Sequence, residues 1–183
     1  MSSLIAGLVL FFGVHAFSSL RSARGRLIAK LGEGPYKGIY ALLSLAGFGL
    51  IVAGMSKAPS IELWDPPAWG RYAAIWVMPF ALILLSAAFI PGNLKRFTAH
   101  PMLWSITLWA LVHLLANGDL AGLLLFGGFG LYALYAMGSQ NRRGARPAQT
   151  RRAIAGDVGT VVAGLTAYAL LLKFHASLFG VAV

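Results

Sequence analysis

The order of apolar and polar positions along the chain is typical of a protein built from membrane-spanning helices. A spanning helix requires roughly 20 apolar residues, within a range of about 17 to 25. Apolar runs of this kind cover residues 4–20, 38–55, 72–90, 101–137 and 158–179. The pattern therefore predicts an all-α integral membrane protein.

The number of spans depends on the run at residues 101–137, which is too long for one crossing. Its residues Asn117-Gly118-Asp119 are a turn signal. Two short spans in a tight hairpin fit this run better than one span does. The sequence thus predicts a bundle of six transmembrane helices, and the count falls to five if the break is a re-entrant kink.

The basic residues give the predicted bundle an orientation. Twelve of the fifteen Lys and Arg residues lie in three segments between the runs, and they are Arg21, Arg24, Arg26, Lys30, Lys37, Lys95, Arg96, Arg142, Arg143, Arg146, Arg151 and Arg152. With six spans all three segments face one side, which the positive-inside rule makes cytoplasmic. Both termini are then expected outside. The first run is expected to be a retained helix and not a signal peptide, because its basic residues follow it.

Composition excludes several other classes of protein. The chain is 58% hydrophobic and 11% charged, against roughly 25% charged in ordinary soluble domains. The net charge of +10 lies in short segments and does not cover a soluble face, which argues against nucleic-acid binding. The absence of cysteine excludes disulfides, thiolate metal ligands and covalent c-type haem attachment. We expect a single transmembrane domain over residues 1–183.

Ionisable side chains inside a span are costly and normally have a partner, which singles out the histidines. Trp109, His113 and Asn117 recur four residues apart in the fourth span, so they share one face of the helix. His113 is interpreted either as an interhelical hydrogen-bond partner or as an axial ligand to a buried cofactor. The spacing leaves both open.

The other histidines have less informative surroundings. His15 is flanked by phenylalanines in the first span, which suits the wall of a flat cofactor site or ordinary packing. His100 precedes Pro101 at the start of the fourth span, and His175 lies near the end of the last. A site here needs residues from separate helices, as in b-type haem held by two histidines. Zinc requires three or four ligands, for which the chain has few candidates.

Two patterns concern anchoring and packing. Tyr36, Tyr40 and Ser44 form a polar stripe at the start of the second span, which favours anchoring at the membrane interface. Glycines in the fifth span favour close helix packing, and they are Gly122, Gly127, Gly128 and Gly130.

Two stretches carry a resemblance to a known family. They are FFGVHAFSSLRSARGRLIAKLGEGPYKGIYALLSL at residues 11–45 and AHPMLWSITLWALVHLLANGDLAGLLLFG at residues 99–127. Together they resemble the NnrU family of bacterial membrane proteins, which shares its domain with plant 15-cis-zeta-carotene isomerase. The resemblance extends over nearly the whole chain and implies a multi-pass protein of the bacterial inner membrane.

The resemblance implies two kinds of function. NnrU proteins are associated with denitrification, in nitrite and nitric oxide metabolism. The plant relative is a haem b enzyme that isomerises a carotenoid double bond when its iron is reduced. Its two proposed haem histidines match His15 and His113, which implies haem b as the cofactor, and a carotenoid or a small diatomic as the ligand. The plant enzyme's cysteine, proposed to exchange with the second histidine, is Ala110 here, so that exchange is excluded.

Alternatives remain at this stage. On the predicted topology His15 and His113 differ in depth by about 10 Å at roughly 1.5 Å per residue. A haem held by both is then strongly tilted, and His100 or a water is the alternative partner of His15. A non-catalytic assembly protein of a respiratory or denitrification complex is the second hypothesis. An S-adenosylmethionine-dependent methyltransferase is the third, weakened because Ala99 replaces the arginine of an Arg-His-Pro pattern.

Overall fold

The computed structural model describes residues 1–180, and it confirms the all-α prediction. The chain separates into two compact units, Met1–Ile61 and Glu62–Val183. In unit 1, α1 covers Ser2–Ser19, α2 covers Arg21–Leu31 and α3 covers Glu33–Met55. The helix α2 was not predicted, because its basic residues interrupt the apolar pattern that marks a span.

Unit 2 holds four further helices within the described residues. They are α4 at Gly70–Phe89, α5 at Pro101–Ala116, α6 at Leu120–Arg142 and α7 at Ile154–Phe179. Helix α4 packs against α5 and α7, and α5 packs against α6. A 3₁₀ turn, Asn93–Arg96, connects α4 towards α5.

Within residues 1–180, five helices are long and apolar enough to cross a membrane: α1, α3, α4, α6 and α7. Helix α5 is apolar but shorter, with 16 residues. Large apolar side chains such as Trp76 and Leu131 are more than 70% exposed, as expected where lipid is the solvent. The chain is thus a multi-pass membrane protein, and the sixth span and the outward termini stay predictions.

Glycines bring the two long helices of unit 1 into backbone contact. A Cβ on Gly7 of α1 would lie 2.6 Å from the Ile51 nitrogen, and one on Gly47 of α3 would lie 3.0 Å from the Phe11 nitrogen. Gly54 lies equally close to Leu4. Small residues at such crossings are the usual means of packing membrane helices, because they let the backbones approach.

In unit 2 the close glycines only partly match the predicted set. Gly130 on α6 faces Ala110 on α5, where an added Cβ would be 3.2 Å from the alanine Cβ. Gly122 and Gly127 instead lie nearest to atoms of their own segment, at Asp119 and Leu123 respectively. Two other glycines make tighter interhelical approaches in this unit: Gly70 on α4 to the Leu115 backbone of α5, and Gly164 on α7 to Ile83 on α4. Neither approach was predicted.

The predicted turn at Asn117-Gly118-Asp119 is confirmed and is tightly held. The Asp119 carboxylate caps α6 by accepting a hydrogen bond from the Gly122 nitrogen at 2.8 Å. The backbone nitrogens of Leu63 and Trp64 donate to the Gly118 oxygen at 2.7 and 3.1 Å. The loop before α4 therefore satisfies the backbone of the turn.

The expected anchoring role of the tyrosine stripe is wrong for Tyr36. This side chain is 6% exposed and its ring stacks near that of Tyr40, with 6.5 Å between centroids. Helix α2 packs against both α1 and α3. Tyr36 is buried there, whereas residues 33–35 and 37–39 around it are exposed.

Candidate functional site

The four histidines are divided between the two units. His15 lies on α1 in unit 1, whereas His113 and His175 lie on α5 and α7 in unit 2. His100 is the residue that precedes α5. Each unit therefore contains its own candidate site.

The predicted stripe of Trp109, His113 and Asn117 is present on α5. The His113 Nδ1 lies 2.8 Å from the Trp109 carbonyl oxygen, to which it donates. The Asn117 amide donates in turn to the His113 carbonyl oxygen at 2.7 Å. Since Nδ1 carries the proton in this bond, the neutral ring has its lone pair on Nε2.

Aromatic rings surround His113 on the α6 side. The His113 ring centroid is 4.8 Å from that of Phe126 and 5.4 Å from that of Trp109. Trp109 also meets Phe129 edge-on at 5.7 Å. Phe126 lies in a π-helical turn, Leu123–Gly127, a feature that often occurs at functional sites. This turn was not predicted from the sequence.

On its other side His113 lines a cavity of about 290 Å³ in unit 2. Trp109 and Ser105 of α5, Met78 of α4, and Tyr168 and His175 of α7 also line it. The Tyr168 hydroxyl donates to the Ile75 carbonyl oxygen at 3.0 Å, which ties α7 to α4. His175 was noted in the sequence as one of the four histidines but was not predicted as a site residue.

His100 is held differently. It is 7% exposed, and its Nε2 lies 2.7 Å from the Asn141 side-chain oxygen at the end of α6. This is an interhelical hydrogen bond, which is the structural role that sequence analysis weighed for the membrane histidines. His100 and His113 are separated by the length of α5 and do not line the same cavity.

In unit 1, His15 repeats the arrangement of His113. Its Nδ1 donates to the Phe11 carbonyl oxygen at 2.7 Å. The ring stacks on Phe11 with 4.1 Å between centroids and lies 5.4 Å from the ring of Tyr40. The Ser19 hydroxyl donates to the His15 carbonyl oxygen at 3.2 Å. His15 and His113 thus share one hydrogen-bond pattern, and His100 has another.

Among residues 1–180, no group of three or more His, Cys, Asp or Glu side chains is placed to hold a metal ion. A metal site supplied by protein ligands alone has no support in this part of the chain. A haem brings its own four nitrogen ligands and needs only one or two axial side chains.

Long apolar helices with histidines among them define this chain as a multi-pass membrane protein. It belongs to the NnrU protein family, whose model matches residues 3–183. The resemblance stated from the sequence is therefore confirmed. No curated protein and no solved structure matches the chain.

Proposed function

We propose that this NnrU protein binds haem b in the bacterial inner membrane, with His113 as an axial ligand. The observation that carries the proposal is the hydrogen bond from the His113 Nδ1 to the Trp109 carbonyl oxygen. Histidines that ligate a metal usually donate their other ring N–H to a carbonyl or carboxylate, which fixes the tautomer and the ring orientation. His113 meets that requirement and lines a cavity.

The residues around His113 fit the donor and wall chemistry of a haem site. The lining is mostly apolar and includes Trp109 and Met78. The volume of about 290 Å³ is at the lower limit for ligand sites, roughly 300 to 1,000 Å³. Haem binding therefore requires the side chains of the cavity to move apart. When bound, haem supplies a redox-active iron with an axial position for an imidazole or a small ligand.

The family resemblance also implies His15 of unit 1 as a haem ligand. Its support within unit 1 is the matching bond from Nδ1 to the Phe11 carbonyl oxygen. His175 is the competing second ligand, because it lines the same cavity as His113. His100 is the least suited of the four, since its Nε2 is engaged with Asn141.

Absorption spectra of purified variants test the site. We expect a Soret band in the wild type, its loss in His113→Ala, and its return when imidazole is added to His113→Gly. Loss of one of two axial ligands should convert low-spin haem to high-spin haem. Whichever of His15→Ala and His175→Ala causes this conversion identifies the second ligand. His100→Ala is the matched control and should keep the spectrum.

Two results would overturn this proposal. One is colourless wild-type protein from haem-replete cells. The other is an unchanged Soret band in His113→Ala. A partner complex that co-purifies with colourless protein would favour the assembly-protein hypothesis, and S-adenosylmethionine binding by calorimetry would favour the methyltransferase.

The proposed role is redox-dependent, either in nitrite and nitric oxide metabolism or in carotenoid isomerisation. The mostly apolar lining of the cavity is compatible with either ligand, so separate assays distinguish the two roles. We expect nitric oxide to shift the Soret band of the reduced protein. The assay for the isomerase is conversion of a cis-polyene by the reduced protein, which chromatography detects.

A further inference from the structure

Unit 1 contains a cavity that the proposed haem site does not use. It measures about 410 Å³ and lies among α1, α2 and α3. Its walls run along α1 from Val9 to Phe17 and along α3 from Tyr36 to Leu43, and Leu27 of α2 also lines it. Eight helical steps at about 1.5 Å each make the cavity roughly 12 Å long. Such a space suits a segment of acyl chain.

One residue that lines this cavity has a buried polar group without a partner. Tyr36 lines it and is 6% exposed. Its hydroxyl is buried with no hydrogen-bond partner in the described chain, residues 1–180. A buried polar group of this kind is costly and calls for an explanation, such as a ligand that is not part of the protein. A ligand oxygen that accepts from Tyr36 would satisfy it.

The helix beside Tyr36 is strongly basic, although its basic side chains do not line the cavity itself. Helix α2 carries four basic residues and no acidic one, and they are Arg21, Arg24, Arg26 and Lys30. The Arg24 guanidinium carbon is 5.9 Å from the centre of the Tyr36 ring. The acidic residue nearest in sequence, Glu33, is paired with Lys37 at 2.8 Å. Basic pockets between membrane helices bind anionic lipid head groups.

The cavity is open to the surface of unit 1 at apolar positions. Val9 is 67% exposed and Ile39 is 46% exposed, and both line the cavity. A chain entering from the bilayer can thus reach the cavity laterally. A free phosphate would satisfy the basic residues of α2 but would leave the apolar length of the cavity unexplained.

We propose that the unit 1 cavity binds one acyl chain of an anionic glycerophospholipid. The ester carbonyl accepts the hydrogen bond of Tyr36, and the phosphate faces Arg24 and the other basic residues of α2. The site is separate from the histidines and does not depend on haem. Its readout, retained lipid, is independent of the absorption spectrum.

The test is native mass spectrometry of the full chain released from nanodiscs of equal parts phosphatidylglycerol and phosphatidylcholine. A Cβ on Gly13, which lines the cavity, meets nothing within 4 Å. Gly13→Leu therefore fills the cavity without a clash, and leucine also favours the helix. We expect retained phosphatidylglycerol to fall at least tenfold. Gly49→Leu is the matched control, because Gly49 is also open on α3 but lies outside the cavity.

Two further variants test the polar contacts. Tyr36→Phe removes one hydrogen bond and should lower retention about fivefold, whereas Tyr72→Phe, an exposed tyrosine of unit 2, should leave it unchanged. Arg24→Gln should reduce the preference for phosphatidylglycerol over phosphatidylcholine. Equal retention of both lipids by the wild type would overturn the proposal. Equal retention by Gly13→Leu and the wild type, or recovery of a free fatty acid alone, would also overturn it.

Discussion

At the scale of single residues, the histidines differ in which ring nitrogen is engaged. His15 and His113 each donate from Nδ1 to the carbonyl oxygen four residues earlier. His100 uses Nε2 against the side chain of Asn141. A neutral imidazole can donate from one nitrogen only, so the two patterns suit different roles: ligand for the first pair and interhelical link for His100.

The interhelical role of His100 predicts an energetic coupling to Asn141. Side-chain hydrogen bonds between membrane helices contribute about 0.6 kcal/mol on average and up to about 1.7 kcal/mol. We expect a coupling in this range from the cycle of His100→Ala, Asn141→Ala and the double variant, measured by unfolding in mixed micelles. Additive effects would contradict the bond as a source of stability.

At the scale of the helix, contact between α1 and α3 depends on glycine at particular positions. Gly54→Ala places a Cβ against the backbone of Leu4, and overpacking of this kind costs about 1 to 3 kcal/mol. On the same helix, Gly49→Ala meets nothing within 4 Å and should stabilise by up to about 1 kcal/mol. Unfolding in mixed micelles compares the two variants, and equal stability would contradict the packing.

Helix positions were predictable from the sequence to a much greater extent than the packing. The run at residues 38–55 and the turn at Asn117-Gly118-Asp119 correspond closely to observed elements, because apolar length and turn chemistry are local properties. Gly54 and Gly164 could not be distinguished from open glycines such as Gly49, because the difference lies in the facing helix. The stripe around His113 was predictable because its residues lie on one helix. The proximity of Phe126 and His175 to His113 was not predictable, because those residues lie on other helices.

At the scale of the whole molecule, the number of crossings depends on α5. Its 16 residues extend about 24 Å at roughly 1.5 Å per residue, against a hydrocarbon core of about 30 Å. A short span is accommodated by local thinning of the bilayer at a modest cost. Backbone groups at that depth must be satisfied within the protein, and the Gly118 oxygen accepts from both Leu63 and Trp64. A turn within the bilayer requires such contacts and a turn at its surface also permits them, so six crossings stays a prediction.

Labelling of single cysteines tests this topology directly, because the chain has no cysteine of its own. Ser60→Cys, Phe97→Cys and Gln149→Cys lie at exposed positions in three different connections. With six spans an impermeant thiol reagent should reach positions 97 and 149 from the cytoplasmic side and position 60 from the opposite side. If α5 and α6 together made one crossing, positions 97 and 149 would be labelled from opposite sides. That result would leave basic segments on both faces and contradict the orientation drawn from the positive-inside rule.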